Sequence, residues 1–302
     1  MLSRMRKSRA FILLLSSLTT LGLVLPLLPG GRNTHCACPR CLTEGTDEFS
    51  QVLRTAPKPF LLKSSKTTEE DFNWWKQVQR EKKTFSVFTT KIDELFQIFP
   101  PSPNLVGPSP DRCRTCAVVG NSGNLRGSHY GHLIDSHDIV IRMNRGVTTG
   151  YEVDVGSKTT HHVMYPESAK MLVNTTHLVF IPFKIKDLQW LQKNFVPGAK
   201  WRANKDLVMI LNPAFMRYVH ETLLQKRGRY PSTGFLSVAF SMQMCDQVSV
   251  FGFGADSHGN WYHYFETLRN RRLKTGPHAG THEYNVILQL HDEAKLQFFQ
   301  GF

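Results

Sequence analysis

The sequence predicts an α/β fold in which a largely parallel sheet is covered by helices on both faces. After about residue 115, short apolar runs suited to buried strands alternate with or precede stretches of helical periodicity. This alternation is typical of parallel sheets, whose faces are both covered by helices. The predicted strands are Cys116 to Gly120, Asp138 to Met143, His177 to Phe183, Leu207 to Leu211 and Val248 to Phe253.

Helices are predicted before and between these strands. Thr67-x-x-Glu70 is the pattern of a capping box and predicts a helix from Asp71 to Lys82. A second helix, from Thr90 to Phe99, has one apolar face and ends before two prolines. The later helices are predicted at Ala214 to Gln225, Gly234 to Met244 and Glu283 to Phe299.

The N-terminus has the pattern of a membrane anchor. A basic stretch precedes Ala10 to Leu28, which carries no charge and would span roughly 28 Å as a helix. A cleaved signal peptide is the alternative, although its apolar region is usually shorter. The basic flank predicts a cytoplasmic N-terminus and a lumenal remainder. The predicted organisation is a tail over 1–9, an anchor over 10–28, a Pro- and Ser-containing stem over 29–66 and a catalytic domain over 67–302.

The charge of the chain restricts the kind of partner. The 302 residues are 41% hydrophobic and 20% charged, and the formal net charge is +13. No basic run exceeds a few residues, so nucleic acid is not expected as a partner. Behind a membrane anchor, the positive charge instead favours the attraction of anionic small substrates.

The six cysteines have two interpretations. An oxidising lumen permits disulfides, and an even number permits complete pairing. Alternatively, Cys38-x-x-Cys41 and Cys113-x-x-Cys116 have the spacing of a zinc site. On the lumenal side, the sequon at Asn174 would also be available for glycosylation.

Two glycine-containing loops are candidates for a nucleotide site. The loop after the first predicted strand reads Gly120-x-x-Gly123-x-x-x-Gly127, which is neither a dinucleotide fingerprint nor a Walker loop. Ser232, Thr233 and Gly234 begin a helix and offer a phosphate hydroxyls and N–H groups. A simple helix cap is the alternative for this second loop.

Four stretches, in order, resemble the sialylmotifs of eukaryotic sialyltransferases, glycosyltransferase family 29. The segment that starts CAVVGNSGNLRG resembles the long motif, and GRYPSTGFLSVAFSMQMCDQVSVFGFG resembles the short one. WYHYFE resembles the third motif, and HAGTHE fits the very short H-x-x-x-x-E pattern. The resemblance implies a variant GT-A-like, Rossmann-type single domain with a twisted, mostly parallel sheet flanked by helices.

Three further details are similar to the α-2,3-sialyltransferases that act on galactose-β-1,3-GalNAc. They are the spacing of the first three cysteines, the stretch Trp74 to Lys83, and Tyr165-Pro-Glu-Ser168. The chain departs from this subgroup in a shortened Leu188 to Lys205 connection and a short, basic Thr267 to Pro277 loop. The subgroup implies three disulfides: Cys36 to Cys41, Cys38 to Cys113 and Cys116 to Cys245.

The resemblance implies an enzyme that inverts configuration as it transfers sialic acid from CMP-sialic acid. The acceptor would be the 3-hydroxyl of a terminal galactose on O-glycans or glycolipids. The enzyme would be a single-pass type II protein of the Golgi membrane, and cleavage of the stem would release a secreted form. A catalytically inactive, membrane-anchored protein that binds donor or glycan is the alternative. A lumenal zinc hydrolase based on His278 and His282 is a third interpretation.

The matched motifs also imply roles for individual residues. His278 would be the general base and His263 would bind the departing phosphate, while Glu283 would support the site. There is no Asp-x-Asp sequence, so neither a divalent metal nor another cofactor is expected. Gln79 and Tyr230 would contact the acceptor. The implied donor-binding residues are Asn121, Asn124, Asn144, Ser232, Thr233, Gly234, Gly252 and Gly254.

Overall fold

The computed structural model describes residues 36–39, 41–42, 46–103, 109–268 and 275–302. The predicted anchor, Ala10 to Leu28, lies outside the described residues. Within the described ranges, no helix is both long and apolar enough to cross a bilayer.

The described residues form a seven-stranded parallel sheet, which confirms the predicted fold class. The strand order is β5-β4-β3-β2-β1-β6-β7, so the chain builds outward from β1 on one side and then returns to add β6 on the other. The strands are β1 Thr115–Val119, β2 Ile139–Met143, β3 His161–Met164, β4 His177–Phe180, β5 Val208–Ile210, β6 Gln247–Phe251 and β7 Gln297–Phe299.

The five predicted strands are present, and β3 and β7 are additional. β3 begins with two histidines, His161 and His162, which do not resemble a buried apolar run. β7 follows closely on the last helix, and the predicted helix from Glu283 to Phe299 includes its two phenylalanines. The prediction of one helix from Glu283 to Phe299 is therefore wrong, because the chain turns after the helix and adds a strand beside β6.

The helices include the predicted ones with shifted boundaries and some that were not predicted. The first predicted helix begins after Thr68 rather than Thr67, because the Thr68 hydroxyl accepts the Asp71 N–H. The second begins at Phe85, five residues earlier than the predicted start at Thr90. The helices are α1 Glu48–Thr55, α2 Glu69–Val78, α3 Phe85–Leu95, α4 Gly131–Asp135, α5 Glu152–Val155, α6 Ile185–Lys193, α7 Pro213–Tyr218, which continues as a π-helical turn over Val219–Leu223, α8 Thr233–Met244 and α9 Gly280–Asp292.

Helix α8 is the central helix of the core. Ten of its twelve residues are buried, and it packs against β1, β2, β3 and β6. Its apolar residues occur all round the helix, as expected of a helix that is enclosed by other elements. The helix thus carries its N-terminus to the carboxyl edge of the sheet in a fixed position.

The six cysteines form the three disulfides that the resemblance implied, Cys36–Cys41, Cys38–Cys113 and Cys116–Cys245. A disulfide sulfur is not a thiolate ligand, so the zinc-site interpretation of these cysteines is wrong. The third disulfide joins β1 to the end of α8.

Part of the segment assigned to the stem packs on the folded domain. It contains α1, whose Leu53 is buried. The Tyr218 hydroxyl donates to the Val52 carbonyl over 2.9 Å, and Phe60 forms an antiparallel bridge with Leu211. These contacts order residues before position 67, whereas the assignment of 29–66 as a stem stays a prediction.

Candidate active site

A cavity of ≈ 480 Å³ lies where the direction of strand addition reverses, between the carboxyl ends of β1 and β6. Ligands of open α/β sheets bind at such a point, because the loops that follow the two strands separate there. The loops approach closely at Gly120, where an added Cβ would lie 2.3 Å from the Gly252 carbonyl oxygen. Glycine is required at this position because backbone of the neighbouring loop occupies the space of a side chain.

The loop after β1 presents amide groups to the cavity. Asn121 donates through Nδ2 to the Met143 carbonyl over 3.1 Å, and its Oδ1 is buried without a partner. Asn144 follows β2 with a left-handed φ of 54°, and its Oδ1 is also buried and unpartnered. Because unpaired buried acceptors are rare in folded proteins, these two oxygens indicate a ligand that donates hydrogen bonds.

The third asparagine has a different position. Asn124 donates through Nδ2 to the Ala255 carbonyl over 2.9 Å and is 8% exposed. It does not line the cavity, and neither does Thr233. The loops also bring Ser122 into the wall, where its hydroxyl donates to the Gly254 carbonyl over 2.8 Å.

Glu283 on α9 holds the N-terminus of α8. Its carboxylate accepts from the Ser232 N–H over 2.8 Å and from the Ser232 hydroxyl over 2.5 Å. The Ser232 hydroxyl in turn accepts the Phe235 N–H and caps α8. Burial raises the pKa of Glu283, while the hydrogen bonds from Ser232 act in the opposite direction. The two helices are therefore tied together at the edge of the cavity.

The tautomer of His278 follows from its contact with backbone. His278 Nδ1 lies 3.0 Å from the Tyr230 carbonyl oxygen. A carbonyl oxygen only accepts, so Nδ1 carries the proton and the neutral ring keeps its lone pair on Nε2. The ring also packs edge-on against the Tyr230 ring, with 4.8 Å between centroids. Two independent contacts thus fix the orientation of this imidazole in the cavity wall.

His263 belongs to a loop that pairs with the loop after β1. Ser122 and His263 form an antiparallel bridge, and the Gly123 N–H donates to the Tyr262 carbonyl over 2.9 Å. His263 Nδ1 lies 2.9 Å from the Glu266 carboxylate, and the imidazole is 50% exposed. The hydrogen bond orients one ring nitrogen and leaves the other for a ligand.

Gln79 and Tyr230 contact each other beside His278. Gln79 Nε2 donates to the Tyr230 hydroxyl over 2.8 Å, although the residues are 151 positions apart. Gln79 lies at the end of α2 and Tyr230 precedes α8, so two separate elements meet here. Burial raises the pKa of Tyr230, which keeps its hydroxyl protonated at neutral pH.

The structure thus brings together most of the residues named from the sequence. His263, His278 and six of the eight proposed donor residues line the cavity, and Gln79 and Tyr230 stand beside His278. Aromatic residues of the wall were not foreseen. Their positions in the sequence could have indicated them, since Phe253 lies between the predicted donor-binding residues Gly252 and Gly254, and Tyr284 follows Glu283. The unforeseen lining residues are Ser122, Met143, Phe253, Trp261, Tyr262, Thr275, Gly276, Gly280, Tyr284 and Ile287.

His278 lies just before α9 and His282 lies on it, and the zinc interpretation needs a cluster of ligands around this pair. Among the described residues, the group of three potential ligands close enough to share an ion is Cys36, Cys38 and Asp246, and both cysteines are in disulfides. His278 and His282 are not part of such a group in this portion of the chain. The described residues thus provide no third ligand for a zinc ion at His278 and His282.

Comparison with known proteins identifies the family. The family model of glycosyltransferase family 29 (sialyltransferase) matches residues 60–295. The chain belongs to this sialyltransferase family. The enzyme is 45% identical over 285 residues to chicken CMP-N-acetylneuraminate-beta-galactosamide-alpha-2,3-sialyltransferase 1, with 88% of this chain and 82% of the relative covered. The human protein of the same name is 44% identical over 286 residues, with 89% and 82% covered.

Solved structures agree with this assignment. The sialyltransferase resembles a crystal structure of a mammalian sialyltransferase in complex with Gal-beta-1-3GalNAc-ortho-nitrophenol. The TM-score is 0.79 at 41% identity, and the match covers 88% of this chain and all of the other, 100%. A second crystal structure of a mammalian sialyltransferase gives a TM-score of 0.78 at 43% identity, covering 88% and 99%. The predicted family is therefore confirmed.

Proposed function

We propose that this sialyltransferase transfers sialic acid from CMP-sialic acid to the 3-hydroxyl of a terminal galactose, with inversion at the anomeric carbon. The acceptor would be galactose-β-1,3-GalNAc on O-glycans or glycolipids. The observation that carries the proposal is His278, whose free Nε2 belongs to a ring held between the donor cavity and the acceptor pair. The names of the curated relatives support the linkage and the donor.

The donor would occupy the cavity between β1 and β6. The unpartnered amide oxygens of Asn121 and Asn144 suit the hydroxyl groups of a ribose or sialic acid. Ser232 and Gly234, at the N-terminus of α8, would bind the anionic group. Asn124 and Thr233 would act from behind this wall, because neither lines the cavity.

The base in this reaction would be His278. Its Nε2 would take the proton of the galactose 3-hydroxyl while that oxygen attacks the anomeric carbon of sialic acid. The bond from this carbon to the CMP phosphate oxygen would break in the same step, and its electron pair would leave with CMP. One displacement inverts the configuration without a covalent intermediate on the enzyme.

His263 would stabilise the leaving phosphate. With Nδ1 bonded to Glu266, the protonated ring would donate its second N–H to a phosphate oxygen. A sugar monophosphate carries less charge than a diphosphate, so these groups would suffice without a divalent metal. The proposed residence of the enzyme is the Golgi membrane, with the catalytic domain lumenal, as the N-terminal pattern predicts.

The test uses the full-length chain in detergent, labelled CMP-sialic acid, and β-1,3 and β-1,4 galactosides, with and without EDTA. Transfer to the β-1,3 disaccharide with EDTA present is the expected result. His278→Ala should lower kcat by about 10²- to 10⁴-fold, the usual contribution of a general base. The matched control is His132→Ala, since His132 is exposed on α4.

Each other outcome contradicts a named part of the proposal. Binding of the donor without transfer to any acceptor would favour the inactive binding protein. Loss of activity in EDTA would exclude the metal-free mechanism, and a fully active His278→Ala variant would exclude this histidine as the base.

A further inference from the structure

Five cationic residues adjoin the proposed acceptor pair along the chain. Arg80, Lys82 and Lys83 follow Gln79 at the end of α2, and Arg227 and Arg229 precede Tyr230; we call these five residues the basic rim. All five are exposed, and none of them forms an ion pair with any residue that the structure describes.

Backbone contacts place both halves of the basic rim beside the reaction centre. The Arg229 N–H donates to the Pro277 carbonyl over 2.9 Å, directly before His278. The Ile185 N–H donates to Glu81 over 2.8 Å, which fixes the loop of Lys82 and Lys83 against the start of α6. The hydrogen bond between Gln79 and Tyr230 brings together the two chain segments that carry the halves.

Glu81 lies within the basic rim and offsets one of its five positive charges, whereas the other neighbouring carboxylates pair with cations outside the rim. Glu81 accepts from the backbone N–H groups of Lys82 and Lys83 over 2.7 and 2.8 Å. Glu167 and Asp187 both pair with Lys184, and Glu221 pairs with Arg217. The electrostatic potential beside Gln79 and Tyr230 is therefore positive, and it acts on any acceptor that binds there.

We infer that the basic rim recognises an acidic polypeptide segment that carries the acceptor sugar. This inference rests on the proposed function, which directs the galactose toward His278 and places the rest of the acceptor against Gln79 and Tyr230. The polypeptide beyond the sugar then passes the basic rim. Glutamate or aspartate on both sides of the glycosylated residue would face cations from both halves.

The expected effect is a preference that depends on charge and salt. Exposed ion pairs are individually weak, so a few of them give a preference of about threefold to tenfold in kcat/KM. Charges at the edge of a binding surface act mainly on association and are screened by salt. The preference should therefore disappear in about 0.5 M NaCl, where the screening length is only a few ångströms.

The experiment compares glycopeptides of equal length that carry the same disaccharide on a central threonine. Their flanking residues are glutamate, glutamine or lysine, and the free disaccharide and its sulfated form complete the set. Full-length enzyme is compared with Arg227→Gln/Arg229→Gln and, for the other half, Lys82→Gln/Lys83→Gln. Lys193→Gln/Lys200→Gln removes the same charge from exposed positions at the end of α6 and beyond.

Wild type and the control should favour the glutamate peptide, and each rim variant should lose part of this preference while its rate on the free disaccharide is retained. Equal kcat/KM for the three peptides would overturn the inference, as would a preference that survives in both rim variants.

A change in the KM of CMP-sialic acid would show that the cations attract the donor instead. An equal advantage for the sulfated disaccharide would assign the recognition to sugar. Failure of the free disaccharide to react with wild type would contradict the proposed function itself.

Discussion

Single glycines set the shape of the donor cavity, because neighbouring groups occupy the space that a side chain would fill. Gly120 admits the Gly252 carbonyl, and Gly254, at a φ of 93°, admits the ring of Tyr284 at 2.5 Å from where its own Cβ would be. The two loops thus approach each other more closely than side chains would allow. The polar groups that remain, on Asn121 and Asn144, then face the cavity without partners.

Replacing Gly120 by alanine should impair donor binding more than folding. The new methyl group would meet backbone that cannot rotate away, so the loops after β1 and β6 must separate. We expect the KM of CMP-sialic acid to rise at least about tenfold, equivalent to about 1.4 kcal/mol. Steady-state kinetics with varied donor measure this effect.

Gly150→Ala is the control for Gly120→Ala. Gly150 has a φ of 84° but nothing within 4 Å of its missing Cβ. Its replacement should lower stability by about 1 kcal/mol through backbone strain and leave the donor KM unchanged. A donor KM that stays at the wild-type value in Gly120→Ala would contradict the steric account of the cavity.

At the scale of elements, β3 combines a central position with two buried histidines. Burial lowers the pKa of both His161 and His162 to about 3, compared with an ordinary value of 6.5. The His161 ring also stacks on His177 of β4, with 4.4 Å between centroids, and His162 Nε2 bonds to the Asn144 carbonyl over 2.7 Å. Both rings are therefore neutral in the native protein at neutral pH.

The lowered pKa values of His161 and His162 predict a loss of stability in mild acid. Below about pH 6.5 the unfolded chain binds a proton at each imidazole, whereas the native chain does so only near pH 3. Stability therefore falls as the pH falls through this window, by about 1.4 kcal/mol per pH unit for each histidine. Urea unfolding at pH 7, 6 and 5 measures the slope.

A single variant separates the contribution of β3 to the pH dependence of stability from the contributions of the other titrating groups. His162→Gln should reduce the slope below pH 6 by about 1 kcal/mol per pH unit, because one of the two protons is no longer bound on unfolding. His132→Gln, at an exposed position of α4, should leave the slope unchanged. If the His162→Gln slope equals that of wild type, the buried imidazole is not responsible.

The elements themselves were predicted where the pattern of burial is simple. β1, β2, β4, β5 and β6 read as apolar runs because both faces of a parallel sheet are covered. β3 was missed because its first residues are polar groups that only tertiary contacts satisfy. The site followed from motif resemblance, but Phe253 and Tyr262 are not predicted because aromatic side chains in loops have no periodicity that marks them as lining residues. Tyr284 lies on α9, where the sequence does not show which of its residues face the cavity.

At the scale of the whole molecule, the Cys116–Cys245 disulfide joins two elements of the core that are distant in sequence. It connects β1 to the end of α8 across a separation of 129 residues, and both cysteines are buried. A crosslink over such a separation removes much of the freedom of the unfolded chain. The predicted pairing could come only from resemblance, because six cysteines allow fifteen connectivities.

Removing this disulfide should destabilise the whole domain. For Cys116→Ala/Cys245→Ala we expect the free energy of unfolding to fall by about 2 to 5 kcal/mol, as chain entropy predicts for a long loop. Denaturant unfolding under non-reducing conditions measures the change. Cys36→Ala/Cys41→Ala is the comparison and should have a smaller effect, since its loop spans only 5 residues. Equal losses for the two pairs would contradict the entropic account.

The strand order also determines when the enzyme becomes complete during its synthesis. β1 is the fourth element to leave the ribosome among those described, yet its neighbour β6 and the partner of Cys116 emerge more than a hundred residues later. Five of the six cysteines are therefore available to pair with one another before Cys245 exists. A cell that makes this protein has to keep Cys116 from an early, incorrect partner or exchange that partner afterwards.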